Sequence, residues 1–171
     1  MNSDHLEVRN LKEDDYPYII SVVDQWWGGR HMEDMLPRLF FQHFRNTSFV
    51  IVRTDGKHGI VAFLVGFISQ SNPAEAYIHF VGVDPSCRMH GLASNLYQHF
   101  FEAVKKRGCE TVRCVTSPVN KGSVAFHLKM GFEFDSGDGM TEDGIQVHPN
   151  YDGKGRSRVC FKRSLSDQVS S

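Results

Sequence analysis

Arg88-Met89-His90-Gly91-Leu92-Ala93 follows the apolar run Ala76-Tyr77-Ile78-His79-Phe80-Val81-Gly82-Val83, with Asp84-Pro85-Ser86-Cys87 between them. The apolar run reads as a strand. A helix opens at Gly91, because Leu92, Leu96, Phe100 and Val104 then recur four apart on one face. Strand, glycine-bearing turn and helix start together gather unpaired backbone N–H groups at the positive end of a helix dipole. Such a place suits a phosphate or pyrophosphate. It is neither the Gly-x-Gly-x-x-Gly of a dinucleotide fold nor the Gly-Lys-Ser/Thr of a nucleotide-triphosphate loop.

Working outward, the downstream half is the clearer one. Lys105, Lys106 and Arg107 suit the negative end of that helix, and Gly108 stops it. Thr111 to Val115 alternates as a strand. Asn120 is placed to cap a helix running through Val124 and Leu128 to Met130, which Gly131 ends. Phe132 to Asp135 and Arg158 to Lys162 read as the last strands. Ser136 to Ser157 between them is a long loop rich in glycine and acid, and the tail from Ser164 is expected to fray.

Upstream, Leu6 to Arg9 reads as a first strand and Asp14 to Gln25 as a helix, broken at Trp26-Trp27-Gly28-Gly29-Arg30. Met35, Leu36, Leu39, Phe40 and Phe44 recur at helical spacing, with Glu33 and Asp34 in the first turn. Ser48 to Arg53 is a strand, Thr54 to Gly59 a hairpin turn, and Ile60 to Ile68 a central strand.

The chain has 171 residues, which fits one domain, and a formal net charge of −1. That charge gives no reason to expect nucleic acid or an anionic membrane as partner. No apolar stretch is long enough to span a bilayer, and Met1 to His5 lacks the pattern of a signal peptide. Cys87, Cys109, Cys114 and Cys160 are scattered, with no Cys-x-x-Cys pair. They read as reduced thiols in a cytoplasmic protein, and no metal site is assigned.

Val83 to Ala93 resembles the acetyl-CoA signature of the GNAT superfamily of N-acetyltransferases, Arg/Gln-x-x-Gly-x-Gly/Ala. Asn120-Lys121-Gly122-Ser123-Val124-Ala125-Phe126-His127-Leu128-Lys129-Met130-Gly131-Phe132 resembles the second signature of that superfamily. The resemblance covers residues 6 to 163 in element order. It implies a single α/β (α+β) domain: a mixed, mostly antiparallel sheet of about seven strands flanked by about four helices. It also implies acetyl-CoA as co-substrate, bound by Val81, Gly82, Val83, Arg88, Met89, His90, Gly91, Leu92, Ala93, Ser94, Asn120, Ser123 and Phe126.

Catalytic roles follow from the same resemblance. The N–H of Val81 would stabilise the oxyanion of the tetrahedral intermediate. Glu75, Tyr77 and His79 share one parity on the strand, opposite Ile78 and Phe80. In some GNAT enzymes a residue matching Tyr77 or His79 serves as base. His79 is the candidate, since an unperturbed imidazole titrates near ~6.5. Where the family commonly places a tyrosine acid, seven residues after the motif asparagine, this chain has His127. It either protonates the departing thiolate or merely packs, leaving the proton to solvent.

The acceptor pocket implied by the family draws on Trp26, Trp27 and Arg30 and on the loop from Ser136. Two tryptophans and an arginine can line a pocket and clamp a carboxylate; the alternative is that one tryptophan is core and Arg30 is simply exposed. Asp138, Glu142, Asp143 and Asp152 would either bind a cationic amine or keep the loop solvated. The expected reaction is acetylation of a small, amino-acid-like primary amine by direct attack in a ternary complex, with a homodimer possible. Acetylation of a protein N-terminus or lysine, and non-catalytic acyl-CoA binding, are the alternatives.

Overall fold

A computed structural model gives the fold and describes residues 5–55 and 59–166. The turn expected at Thr54 to Gly59 falls partly outside these residues, as do Met1 to Asp4 and residues 167–171. The strands are β1 (Leu6–Asn10), β2 (Phe49–Arg53), β3 (Ile60–Ile68), β4 (Glu75–Val83), β5 (Thr111–Thr116), β6 (Glu133–Phe134), β7 (Gly139–Met140), β8 (Gln146–Val147) and β9 (Val159–Ser164). The α-helices are α1 (Tyr16–Trp26), α2 (Leu39–His43), α3 (Leu92–Lys105) and α4 (Lys121–Lys129). Seven strands hydrogen-bond in the order β1-β2-β3-β4-β5-β9-β6. The pairs β1–β2, β2–β3, β5–β9 and β6–β9 are antiparallel and β4–β5 is parallel. The mixed, mostly antiparallel sheet with four helices is the architecture the sequence implies.

Two compact units emerge, one of residues 1–68 and 78–107, the other of residues 69–77 and 108–171. In the first, Ile60 to Gly66 of β3 are all buried, as a covered central strand should be. Ile19, Val23 and Trp26 of α1 meet Phe41, Val50, Phe63, Val65 and Phe80 in one apolar cluster. α3 packs against β2 and β3, and its buried residues are Leu92, Leu96, Phe100 and Val104, spaced by four, together with Tyr97 and Phe101. Asp15 is buried just before α1. It is held there by a two-pronged pair with Arg9, both N–H···O contacts 2.8 Å, and by the Lys12 N–H.

In the second unit, β5 pairs with β4 from Glu75–Thr111 to Tyr77–Arg113, although β4 runs on to Val83 and β5 to Thr116. Arg113 bridges the carboxylates of Glu75 and Asp135, tying β4, β5 and the end of β6 together. Cys87, Cys109, Cys114 and Cys160 are buried thiols.

Three expectations need correction. The helical spacing from Met35 to Phe44 is not one helix. Pro37 disfavours helical backbone at Leu36, which sits at φ −124°, ψ 59°, so a 3-10 turn at Glu33–Met35 is separated from a short α2. The loop from Ser136 contains the two-stranded ribbon β7–β8, whose two-residue strands are too short to leave a periodic signal. The chain after β9 is not frayed at once, since Leu165 is buried and its N–H donates to the Glu110 carbonyl at 2.8 Å.

Gly82 has a packing reason to lack a side chain. A Cβ there would press into the Phe63 ring and lie 3.0 Å from Trp27 Cζ3. Gly82→Ala should therefore lower stability by about 1–3 kcal/mol, as overpacked core sites do. Urea unfolding reads this, and an unchanged midpoint would contradict it.

Candidate functional site

The motif segment is a tight turn joining β4 to α3. After β4, Asp84 donates its N–H to the Val61 carbonyl at 2.8 Å and accepts the Ser86 N–H, closing a 3-10 turn at Pro85–Cys87. Arg88 follows in extended backbone at φ −65°, ψ 160°, and Met89 then enters the left-handed region at φ +69°. Gly91, at φ +71°, then caps α3, and its carbonyl accepts the Asn95 N–H. Met89 is fully exposed, so its left-handed backbone is not bought by burying its side chain. His90 and Gly91 are exposed too, Leu92 is buried, and Ala93 and Ser94 are half-buried in the first turn of α3.

Arg88 does something the motif reading missed. Its Nη2 donates to the Trp26 carbonyl at 2.6 Å, at the negative end of α1. At least one arm of the guanidinium is thus committed to the protein. Trp26 itself is core, its ring stacked on Phe63 with centroids 5.9 Å apart. Of the two tryptophans expected to line a pocket, only Trp27 is half-buried, leaning on Phe80 at 4.8 Å, while Arg30 is exposed.

On β4, Tyr77, His79, Val81 and Val83 are half-buried and alternate with buried neighbours. The parity argument puts His79 and Phe80 on opposite faces. Yet Phe40 stacks on His79 with centroids 4.3 Å apart, and also packs against the cluster that contains Phe80. His79 Nε2 lies 2.5 Å from the Met35 carbonyl oxygen. A carbonyl can only accept, so Nε2 carries the proton and Nδ1 keeps the lone pair. Burial holds the ring's pKa below its ordinary value, partly offset by that carbonyl. Neither Phe40 nor Met35 was legible as a partner, because strand and turn meet only in the fold.

In the second unit, Asn120 accepts the Ser123 N–H at 3.1 Å and caps α4, as its sequence position predicts. Ser123 and Phe126 are half-buried on α4. His127 is buried, stacked on Phe161 at 4.9 Å and edge-on to Phe132 and Phe126. Its Nδ1 lies 2.7 Å from the Ser123 carbonyl one turn back, and burial lowers its pKa. Of the two readings of His127, packing fits this placement. The phenol of Tyr77 is pushed well above its ordinary value, first by burial and then by neighbours including Tyr151 and Cys114, so it keeps its proton. The loop acids are partly engaged: Asp143 pairs with Lys121 at 2.7 Å and Asp152 with Arg158 at 2.6 Å. No helix among the described residues is long and apolar enough to cross a membrane.

These elements have counterparts in known proteins. The sequence model of the acetyltransferase (GNAT) family matches residues 6–132. An uncharacterized N-acetyltransferase from Methanocaldococcus jannaschii is 36% identical over 135 residues, covering 74% of this chain and 60% of that relative. Ard1 from Thermoplasma volcanium superposes with a TM-score of 0.75 at 18% identity, over 95% of this chain and 99% of that one. The diaminobutyrate acetyltransferase EctA from Paenibacillus lautus was solved with L-2,4-diaminobutyric acid and coenzyme A. It superposes with a TM-score of 0.68 at 17% identity, over 96% and 98%.

The lowered pKa values of His79 and His127 set a pH dependence of stability. The unfolded chain takes up these protons near ~6.5, the folded chain only at lower pH. Stability is therefore full above that value and falls as the pH drops through the folded-state values. His127→Phe keeps the aromatic packing and removes one of the two contributions. Urea midpoints at about pH 7.5 and about pH 5 should differ less in this variant than in the parent. An equal difference would show that His127 is not held neutral.

Proposed function

The chain belongs to the acetyltransferase (GNAT) family, and on that premise we propose that it transfers an acetyl group from acetyl-CoA to the primary amine of a small, amino-acid-like molecule. The observation that carries this reading is the turn from Arg88 to Gly91, with left-handed backbone at Met89 and Gly91, opening α3 straight after β4. Its N–H groups, with those of Leu92, Ala93 and Ser94, suit the pyrophosphate of coenzyme A. Asn120 caps α4 at the place the second signature requires, and by that resemblance Asn120, Ser123 and Phe126 are assigned to the pantetheine arm.

The reaction then needs three things from the chain. The amine must lose a proton, and Nδ1 of His79 is the free lone pair to take it, directly or through a water. The thioester carbonyl oxygen gains charge as the amine attacks, and the Val81 N–H on β4 is the donor assigned to it. The bond between carbonyl carbon and sulfur then breaks, and the thiolate leaves with a proton. Burial disfavours both the charged form of His127 and the phenolate of Tyr77, so the proton that the attacking nitrogen releases on forming the amide goes to solvent, and solvent protonates the thiolate. Trp27 and Arg30, after the end of α1, are assigned to the acceptor, with Arg30 suited to a carboxylate. No metal is required by this scheme, and the cytoplasm is the location it suits.

Thiol release from acetyl-CoA, measured over a panel of small amines, amino acids and short peptides, tests the activity. Release with small amines supports the proposal, release with peptides alone favours a protein substrate, and no release with any amine leaves only acyl-CoA binding. His79→Ala should lower turnover by about 10²–10⁴-fold with acetyl-CoA affinity unchanged. Turnover equal to the parent across pH would remove His79 from the mechanism. Gly91→Val places a β-branched residue at φ +71° and should weaken acetyl-CoA binding instead, read by calorimetry.

A further inference from the structure

Asp24 stands where a carboxylate is electrostatically unwelcome, in the last turn of α1 beside the negative end of the helix dipole. Its surroundings give it another use. Oδ1 accepts the backbone N–H of Met32 at 2.7 Å and of Glu33 at 3.0 Å, drawing the chain after Gly28-Gly29 back against the helix. Those two N–H groups begin the 3-10 turn at Glu33–Met35. That turn is closed by Met35 N–H to the Met32 carbonyl and Leu36 N–H to the Glu33 carbonyl, both 3.0 Å. The carbonyl at the end of this turn, that of Met35, is the one that receives His79 Nε2. One carboxylate thus fixes the start of a turn whose last carbonyl fixes an imidazole.

We propose that Asp24 is a positioning residue for His79, acting through the backbone of Met32 to Met35 to hold the imidazole in one tautomer with Nδ1 free. The inference rests on the reading of His79 as the base. It goes beyond that reading by assigning a second residue, far from β4 in sequence, to the orientation of the reactive nitrogen. Phe40 holds the ring from its face, and the Met35 carbonyl holds its edge. The other close neighbour described for the ring, Phe80, does not titrate. The titratable residues around Asp24 are His31, whose Nδ1 is 3.3 Å from Oδ2, and Glu33, both exposed. Asp34 lies on the same turn and is exposed as well.

The consequence for tautomer and proton affinity has a definite sign. The Met35 carbonyl raises the affinity of the ring for a proton against the effect of burial. Losing that bond lets both tautomers form and lowers the pKa of His79 further. A base works only when neutral, so the acidic limb of the rate profile moves to lower pH while the maximum rate falls.

The test is imidazole nitrogen spectroscopy on ¹⁵N-histidine-labelled protein, with His79→Gln used to assign the signal. The parent should show the Nε2–H tautomer of His79. Asp24→Asn keeps an oxygen acceptor and should preserve that tautomer. Asp24→Ala should give a mixed tautomer and titrate at lower pH. Its turnover should fall by up to about 100-fold, as misplaced catalytic groups do, with acetyl-CoA affinity unchanged. Should Asp24→Ala fail to fold by circular dichroism, Asp24→Glu keeps the charge but moves the oxygen by a methylene, and the same changes are expected in smaller measure. An unchanged His79 tautomer and pKa in a folded Asp24→Ala or Asp24→Glu overturns the proposal. A changed tautomer with parental turnover supports the hold of Asp24 on the ring and overturns the base assignment instead.

Discussion

A helix cannot satisfy its own last carbonyls, and the way α1 ends organises the site-bearing part of this chain. The Trp26 carbonyl takes its partner from Arg88, in the turn that opens α3. The chain leaving the helix, with Gly28 and Gly29 both at positive φ, is turned back and bonded to the Asp24 carboxylate. The phosphate-type turn and the segment leading to α2 are therefore both referenced to one helix terminus. Trp26 anchors that terminus from within, stacked on Phe63 in the apolar cluster. Position there is set by covalent and hydrogen-bonded geometry, with long-range charge playing little part.

Much of this was legible in the sequence, and the parts that were not share a cause. The two signatures, the four-residue spacing in α3, the Asn120 cap and the near-continuous apolar run of β3 are local patterns, and local structure follows them. Contacts between residues distant in the chain leave no such trace. Arg88 reads as a cation for phosphate until Trp26 is seen beneath it, and His79 reads as an unperturbed imidazole until Met35 and Phe40 enclose it. One signal was present and unread: an aspartate near the end of a helix, where a cation is preferred, implies an employment elsewhere. The break at Pro37 was likewise readable from proline stereochemistry, and the apolar spacing across it was misleading.

His79 and His127 show how differently the fold encloses two residues of one type. Both rings are held below the ordinary imidazole pKa by burial, and both face a backbone carbonyl. His127 is enclosed by Phe126, Phe132 and Phe161, with its Nδ1 turned to its own helix. His79 donates through Nε2 to the Met35 carbonyl and packs against Phe40 and Phe80, and the base proposed above is its other nitrogen, Nδ1. The difference lies in which edge the protein occupies. It could not have been found by counting histidines.

The left-handed backbone at Met89 bears on speed as well as on affinity. Holding a residue other than glycine there costs about 1 kcal/mol, and that cost is met when the chain folds, before any ligand arrives. For the anion proposed for this turn, a loop already bent loses little disorder on capture, and rearrangement adds little delay. Since the bend belongs to the main chain, the side chain at position 89 lies outside the bargain, open to solvent over its whole length.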